Sequence, residues 1–176
     1  MRLALAILLA ALATPTLAAR HNKRPEHPSP RTDEPKPLGT FDDWTAATHL
    51  EGGQTVCYAF TRAKNSAPKL PGRGDVVLTV AERPGGRDAV AVSAGYAYPP
   101  NAQVTMSVER HEVPFYTSQR SAFARNGRAA VADFRKANEA VLRGPGPHGK
   151  GNVTDSFSLR GFNAAYAEIS KACPAK

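Results

Sequence analysis

The chain has 176 residues, a formal net charge of +8 and a hydrophobic content of 41 %. This length suits one domain with a packed core, and the negative mean hydropathy argues against an integral membrane protein. The 15 prolines and 14 glycines are many for such a chain, and they favour a turn-rich fold with some unstructured sequence over a helical bundle.

The N-terminus has the three parts of a secretory signal peptide. Met1-Arg2 is basic, Leu3–Ala13 is an unbroken apolar run, and the small residues Ala18 and Ala19 follow. The apolar run is about half of the ~20 residues that a membrane span needs. The pattern therefore predicts a signal peptide over residues 1–19, cleaved after Ala18 or Ala19, and no transmembrane anchor in the mature chain.

Residues 20–37 (RHNKRPEHPSPRTDEPKP) combine charged residues and prolines without one large apolar side chain. Such a segment buries too little apolar surface to offset the entropy lost on ordering, so it is predicted to be a disordered, Pro-rich linker. From Leu38 onward, short β-branched and aromatic stretches alternate with turn residues. Residues 38–176 are therefore predicted to form the folded domain.

Within this domain, apolar residues alternate with a period of two, and turn signals recur roughly every ten residues, which is typical of an antiparallel β sandwich or barrel. Pro114 lacks a backbone N–H and predicts an edge position for its strand. Loops are predicted at Lys64–Gly74 and Gly144–Gly151. The predicted strands are Thr40–Ala47, Gln54–Arg62, Asp75–Glu82, Ala89–Tyr98, Gln103–Glu109, Glu112–Thr117, Glu139–Arg143 and Thr154–Leu159.

Two segments have helical spacing. Alanine-rich sequence predicts a short helix over Gly127–Ala137, and a second helix is predicted over Gly161–Cys173, where Pro174 ends it. Apolar residues of the second helix recur at intervals of three and four, which places them on one face that can pack on the sheet. These residues are Phe162, Tyr166, Ile169 and Cys173. The predicted fold is thus mainly β: an antiparallel β sandwich-like domain with a short internal helix and a C-terminal α-helix packed on the sheet.

The two cysteines, Cys57 and Cys173, lie in predicted secondary structure. An exported protein meets oxidising conditions, so an even number of cysteines favours a disulfide, and only one intramolecular pairing exists. The alternative is a redox-active pair. Such pairs usually form a Cys-x-x-Cys motif, whereas these two residues are far apart in the chain. A structural disulfide between Cys57 and Cys173 is therefore predicted.

No sequence pattern in the chain predicts a catalytic site, a metal site or a cofactor. The histidines lack the spacing of a metal site. There is no Gly-x-Ser-x-Gly nucleophile elbow, and the glycine-rich stretches match neither a P-loop nor a dinucleotide fingerprint. The chain is therefore predicted not to be an enzyme.

The positive charge has two interpretations: a solvated surface, which the scattered arginines and lysines favour, and contact with an anionic partner. Export separates the chain from the cell's nucleic acid, so nucleic-acid binding is not predicted, and attraction to an anionic envelope component is the alternative to a simply solvated surface. The best cluster for such contact lies near one predicted loop and comprises Arg62, Lys64, Lys69 and Arg73.

Two further patterns have both a functional and a structural interpretation. Arg73-Gly74-Asp75 is a known cell-adhesion tripeptide, but it also fits a loop-to-strand junction at which glycine permits the turn. Four aromatic residues could form an exposed contact patch or pack along the strands; these are Tyr96, Tyr98, Phe115 and Tyr116.

Several motifs together resemble the invasion associated locus B family of exported alphaproteobacterial proteins. The most specific is Thr154-Asp155-Ser156-Phe157-Ser158-Leu159-Arg160-Gly161-Phe162, which leads to Ala172-Cys173. The others are Asp43-Trp44-Thr45, Val56-Cys57-Tyr58-Ala59-Phe60, Arg73-Gly74-Asp75-Val76, Leu78-Thr79-Val80, Arg83-Pro84 and Gly95-Tyr96. The resemblance spans residues 40–173, nearly the whole predicted domain.

This resemblance implies a β-sandwich-like domain in the periplasm or envelope, with the cell surface or the medium as alternative locations. The expected function is an interaction domain without catalytic activity, whose partner is an unknown protein or an anionic envelope component. The family name also suggests a link to association with host cells. The alternative function is a small periplasmic hydrolase or redox protein.

Overall fold

The computed structural model describes residues 34–175. The predicted signal peptide, residues 1–19, and most of the predicted linker, residues 20–37, lie outside this range. The first strand begins at Lys36, within the predicted linker, so the folded domain starts before Leu38.

Within the described range, strands dominate and form one antiparallel sheet of 11 strands. Their order in the sheet is β1-β2-β3-β5-β6-β9-β8-β7-β10-β11-β4. The strands are β1 Lys36–Phe41, β2 Trp44–Glu51, β3 Gln54–Arg62, β4 Asn65–Ala67, β5 Val77–Arg83, β6 Gly86–Ser93, β7 Val104–Val108, β8 His111–Ser118, β9 Ser121–Ala124, β10 Glu139–Pro145 and β11 Asn152–Ser158. Two α-helices, α1 Gly127–Phe134 and α2 Phe162–Ala172, and a 3-10 turn at Pro147–Gly149 complete the domain.

The sheet curls until its two halves meet around one core. The Trp44 indole N–H at the start of β2 donates to the carbonyl of Ser158 at the end of β11, with an N–O distance of 2.9 Å. The Lys64 amide likewise donates to Ser156 at 2.8 Å. The inward side chains include Leu78, Met106 and Phe157, all fully buried. The predicted sandwich-like, mainly β fold is confirmed.

Helix α2 covers strands on the β1 side of the sheet. Phe162 and Ile169 are fully buried, and the Phe162 ring lies 4.8 Å from the Trp44 ring, centroid to centroid. The helix begins directly after Gly161, which has a φ of 86°. A Cβ at Gly161 would lie 1.9 Å from the Phe41 carbonyl oxygen, so this close approach of helix and strand requires glycine.

The predicted disulfide is present. Cys57 lies in the middle of β3 and is fully buried, and Cys173 follows the last residue of α2. Their Cα atoms are 6.0 Å apart, within the usual range for a disulfide. The bond therefore fastens the C-terminal end of α2 to the sheet.

Some predicted boundaries were wrong because tight turns interrupt the alternation. Asp42, with a φ of 47°, turns the chain between β1 and β2, so the predicted strand Thr40–Ala47 is two strands. The sequence after Ser93 leaves the sheet, although alternation predicted a strand to Tyr98. The predicted loop at Lys64–Gly74 contains the short strand β4, and α1 ends at Phe134, earlier than predicted.

The prediction that Pro114 lies on an edge strand was also wrong. Its strand, β8, has β7 on one side and β9 on the other. Proline is tolerated there because β9 ends at Ala124, before it reaches Pro114. The Pro114 carbonyl accepts a hydrogen bond from the Arg125 amide at 3.0 Å. The proline therefore costs the strand only the hydrogen bond that a backbone N–H at this position would have donated.

The disulfide gives a first testable prediction. It closes a loop with a sequence separation of 116 residues. In the chain-entropy account, removing it by the double substitution Cys57→Ala/Cys173→Ala lowers the free energy of unfolding by about 4–5 kcal/mol. Urea unfolding of the mature protein measures this loss. Dithiothreitol should lower the midpoint of the wild type and leave the double variant unchanged; an insensitive wild type would contradict the structural role.

Candidate functional site

A cleft of about 650 Å³ opens where several connections meet at one end of the sheet. Its walls come from the β4–β5, β6–β7 and β10–β11 connections and from the tight turn between β8 and β9. Four prolines line the wall: Pro71, Pro99, Pro100 and Pro147. A cavity of this size suits a small-molecule ligand or a single group of a larger one.

The floor of the cleft contains a buried ion pair. Two guanidinium nitrogens of Arg73 donate to the two carboxylate oxygens of Asp155, each at 2.8 Å. The Arg73 Nε donates to the carbonyl of Ala94 at 2.7 Å. The Arg73 and Asp155 side chains are only 6 % and 3 % exposed. The two charges therefore neutralise each other, and their hydrogen bonds join the β4–β5 connection, the β6–β7 connection and β11.

Two tyrosines pack on this pair. The Arg73 guanidinium carbon lies 5.0 Å from the centre of the Tyr96 ring, and the Tyr96 hydroxyl donates to the carbonyl of Pro145 at 2.9 Å. The Tyr98 ring lies 5.3 Å from the Tyr96 ring, edge to face. Burial is the main cause that raises the pKa of both hydroxyls, so both rings are neutral at physiological pH.

Two glycines let the backbones beneath the cleft approach each other. The Gly74 amide donates to the Gly95 carbonyl at 3.3 Å. Gly95 has a φ of 75°, and a Cβ there would lie 2.4 Å from the Gly74 carbonyl oxygen. Any other residue at Gly95 would therefore push the two connections apart.

Arg120 and His148 are exposed residues of the cleft wall. Arg120 lies in the turn between β8 and β9, and its Nη2 donates to the Gly95 carbonyl at 2.6 Å. His148 lies in the 3-10 turn with a φ of 56° and a ψ of 22°. Sequence reasoning missed both residues, because no motif marks them and they reach the cleft from separate hairpins.

The four basic residues predicted as an anionic-surface contact do not form one free cluster. Arg62, Lys69 and Arg73 border one shallow hollow together with Asp75, and Lys64 borders a neighbouring hollow that Arg62 also lines. The Arg62 Nε is 3.3 Å from an Asp75 carboxylate oxygen. Lys64 pairs with Asp43, and this hydrogen bond is the main cause that lowers the pKa of the Asp43 carboxyl. Lys69 is exposed, whereas the Arg73 charge is buried against Asp155.

The adhesion interpretation of Arg73-Gly74-Asp75 is wrong in this fold, because the Arg73 side chain is buried and held by Asp155. The predicted aromatic patch is divided as well. Phe115 is in the core and Tyr96 is nearly buried, whereas Tyr116 is 46 % exposed. Tyr98 is half-buried and belongs to the cleft wall.

A second group of ionisable side chains lies beneath the end of α2, near the disulfide. Glu82 is fully buried, and one of its carboxylate oxygens is 3.2 Å from the Arg87 Nε. The Arg87 Nη1 donates to the Cys173 carbonyl at 2.7 Å. The Tyr166 hydroxyl donates to Asp88 at 2.6 Å. Burial raises the pKa of Glu82 to about 7 against the opposing effect of Arg87. This cluster joins α2 to β5 and β6 and does not line the cleft.

Among residues 34–175, no group of three or more His, Cys, Asp or Glu side chains could hold a metal ion. Within the same range, no helix is both long and apolar enough to cross a membrane.

The fold and the cleft define a small disulfide-closed β domain with a ligand-sized opening at one end. The chain belongs to the invasion associated locus B family, because the sequence model of the "Invasion associated locus B (IalB) protein" family matches residues 44–170. The crystal structure of invasion associated protein b from Bartonella henselae has the same fold, with a TM-score of 0.58 and 15 % sequence identity over 76 % of this chain and 95 % of that chain. No curated protein matches the chain.

The Arg73–Asp155 pair gives a second prediction. Asp155→Asn leaves a buried guanidinium without its counter-charge, so we expect the free energy of unfolding to fall by about 3–5 kcal/mol. The matched control is Asp75→Asn, which removes the partner of Arg62 in an exposed pair and should cost less than about 1 kcal/mol. Chemical denaturation of both variants measures the two losses. Equal small losses would show that the buried pair is not important for stability.

The raised pKa of Glu82, from an ordinary value of 4.5 to about 7, gives a third prediction. The Glu82 carboxyl holds its proton more tightly in the folded protein than in the unfolded chain. As the pH rises from 4.5 to about 7, ionisation of Glu82 therefore lowers the free energy of unfolding. Glu82→Gln removes this dependence. Between pH 4.5 and pH 8, the stability of the variant relative to wild type should rise by up to about 3 kcal/mol. Urea unfolding at several pH values tests this, and parallel pH profiles would refute it.

Proposed function

We propose that the protein is exported to the periplasm and acts there or at the cell surface as a binding domain without catalytic activity. The cleft is its ligand site. The matching family and fold support the general class of domain, and the cleft supports the specific function.

The composition of the cleft wall is the observation that carries this proposal. Its side chains are those that recognise a ligand: aromatic rings, prolines, two guanidinium groups and an imidazole. Among residues 34–175, those that line the cleft include no Ser, Thr, Cys, Asp or Glu. Acyl transfer needs a nucleophile with a base beside it, and glycoside hydrolysis needs two carboxyl groups. His148 has neither kind of partner in the wall, so this set of residues favours binding over the alternative of a hydrolase.

The alternative of a redox protein has less support than a structural role for the cysteines. Cys57 is fully buried in β3, whereas Cys173 is partly exposed. A redox-active pair also needs a stabilised thiolate, and these two residues, 116 positions apart, lack the Cys-x-x-Cys arrangement that supplies one. The disulfide instead supports export, because such bonds persist in oxidising compartments. The signal-peptide pattern of residues 1–19 supports the same location.

Site-specific photocrosslinking in living cells tests this proposal. A benzophenone amino acid replaces Ala97, an exposed residue of the cleft wall, and in a matched control it replaces Arg110 in the exposed β7–β8 turn. We expect the processed protein in the periplasmic fraction and an adduct specific to position 97. Mass spectrometry then identifies the adduct, which distinguishes an envelope ligand from a host-cell ligand.

Retention of the unprocessed chain in the cytoplasm would contradict export. Identical adducts at both positions, or none at position 97, would contradict the cleft as the ligand site. The name of the Bartonella protein associates that protein with invasion; for this chain, an adduct that forms only when host cells are present would extend the proposal in that direction.

A further inference from the structure

The cleft wall carries a positive charge that no described carboxylate neutralises. Within residues 34–175, Arg120 forms no salt bridge, although six other arginines do. These are Arg62, Arg73, Arg83, Arg87, Arg128 and Arg160. Because the charge of Arg73 is offset by Asp155 and both tyrosines are neutral, the net charge of the cleft comes from Arg120, with His148 as a second donor.

Arg120 is held in place while most of its donors are free. One hydrogen bond, from Nη2 to the Gly95 carbonyl at 2.6 Å, fixes the guanidinium at the wall. A guanidinium has five N–H donors. Within the described part of the chain, this is the one hydrogen bond that the Arg120 side chain makes. A fixed guanidinium with free donors matches the paired oxygens of a carboxylate or a phosphate.

Most of the other side chains of the wall are apolar or aromatic. Leu70 and the prolines provide apolar surface, and Tyr98 adds a half-buried ring. In the part of the chain that the structure describes, the lining contains no Asn, Gln, Ser, Thr, Asp or Glu. A neutral sugar would find no carboxylate or amide side chain among these described lining residues to accept its hydroxyl hydrogens, which costs binding energy. An anion attached to an apolar or aromatic body would satisfy both parts of the cleft.

His148 is presented by a turn in an unusual conformation. Its backbone is left-handed, which is uncommon for residues other than glycine. The turn is closed by hydrogen bonds of 3.0 Å from the Gly146 amide to the Gly151 carbonyl and from the Gly149 amide to the Gly146 carbonyl. Strained backbone of this kind persists where the surrounding structure holds it, and it occurs often in ligand sites.

We propose that the cleft binds a carboxylate or phosphate group carried on an apolar or aromatic body, with Arg120 as the residue that recognises the anion. This inference rests on the proposed function and adds the chemical class of the ligand. The apolar body lies against Tyr98 and the prolines, and His148 provides a second donor at the rim.

Binding of model compounds to the mature protein tests the proposal. The probes are phenyl phosphate and benzoate, with benzyl alcohol as the neutral analogue and inorganic phosphate as the anion without a body. Titrations followed by amide NMR report both the dissociation constant and the residues affected. We expect saturable shifts around the cleft with phenyl phosphate or benzoate, and at least about tenfold weaker binding of benzyl alcohol and inorganic phosphate.

The variant Arg120→Gln removes the charge and keeps an N–H donor for the Gly95 carbonyl. We expect it to weaken binding of the anionic probe about 10- to 100-fold, as for a lost charged hydrogen bond. The matched control Arg110→Gln removes an exposed charge away from the cleft and should leave binding unchanged. Thermal unfolding of both variants confirms that they are folded. Unchanged affinity in Arg120→Gln, or equal losses in both variants, would overturn the proposal.

The source of the anion is distinguished by competition. Displacement of the bound probe by vesicles that contain phosphatidylglycerol supports the proposal with a lipid headgroup as the source. Binding that these vesicles do not affect supports it with a free small molecule. If benzyl alcohol binds as well as the anions do, the anionic class is wrong while the cleft remains a ligand site. If the cleft also yields no photocrosslinked adduct, the proposed function fails with it.

Discussion

The buried ion pair between Arg73 and Asp155 joins the parts of the chain that make the cleft. Asp155 belongs to β11 and Arg73 to the connection before β5, and these two regions are far apart in sequence. The same guanidinium holds the Ala94 carbonyl and covers the Tyr96 ring. A charge removed from water needs its full set of partners, and here the partners come from separate connections. The β4–β5 and β6–β7 connections are therefore held beside β11, in the positions that the cleft requires.

The motifs that carry the family resemblance meet at this point. Arg73 and Gly74, then Gly95 and Tyr96, and finally Asp155 belong to separate motifs, and their contacts form the cleft floor. These residues are mostly buried, so they position the wall and do not themselves offer a free charge to a ligand. The residues with free donors, Arg120 and His148, lie outside the motifs.

Strands β5 and β6 run from this cleft to the region in which the disulfide joins α2 to the sheet. Near the β5–β6 turn, Cys57 pairs with Glu82 across the sheet, and the disulfide, Arg87 and Tyr166 hold α2. At the other end of the same two strands, Val77 pairs with Ser93, and the cleft connections begin. The disulfide and the cleft therefore lie at opposite ends of the same two strands.

The sequence by itself determined the features that depend on local pattern: mainly β structure, the apolar face of α2 and the pairing of the only two cysteines. Alternation and helical spacing can be recognised within a single segment, so these elements could be predicted without knowing which segments pack beside them. Only the tertiary structure decided that β8 is internal despite Pro114, that the Arg73 charge is buried and that Arg120 borders a cleft. These outcomes depend on how far β9 extends and on how the sheet curls. They are set by contacts between segments distant in sequence, which no local pattern records.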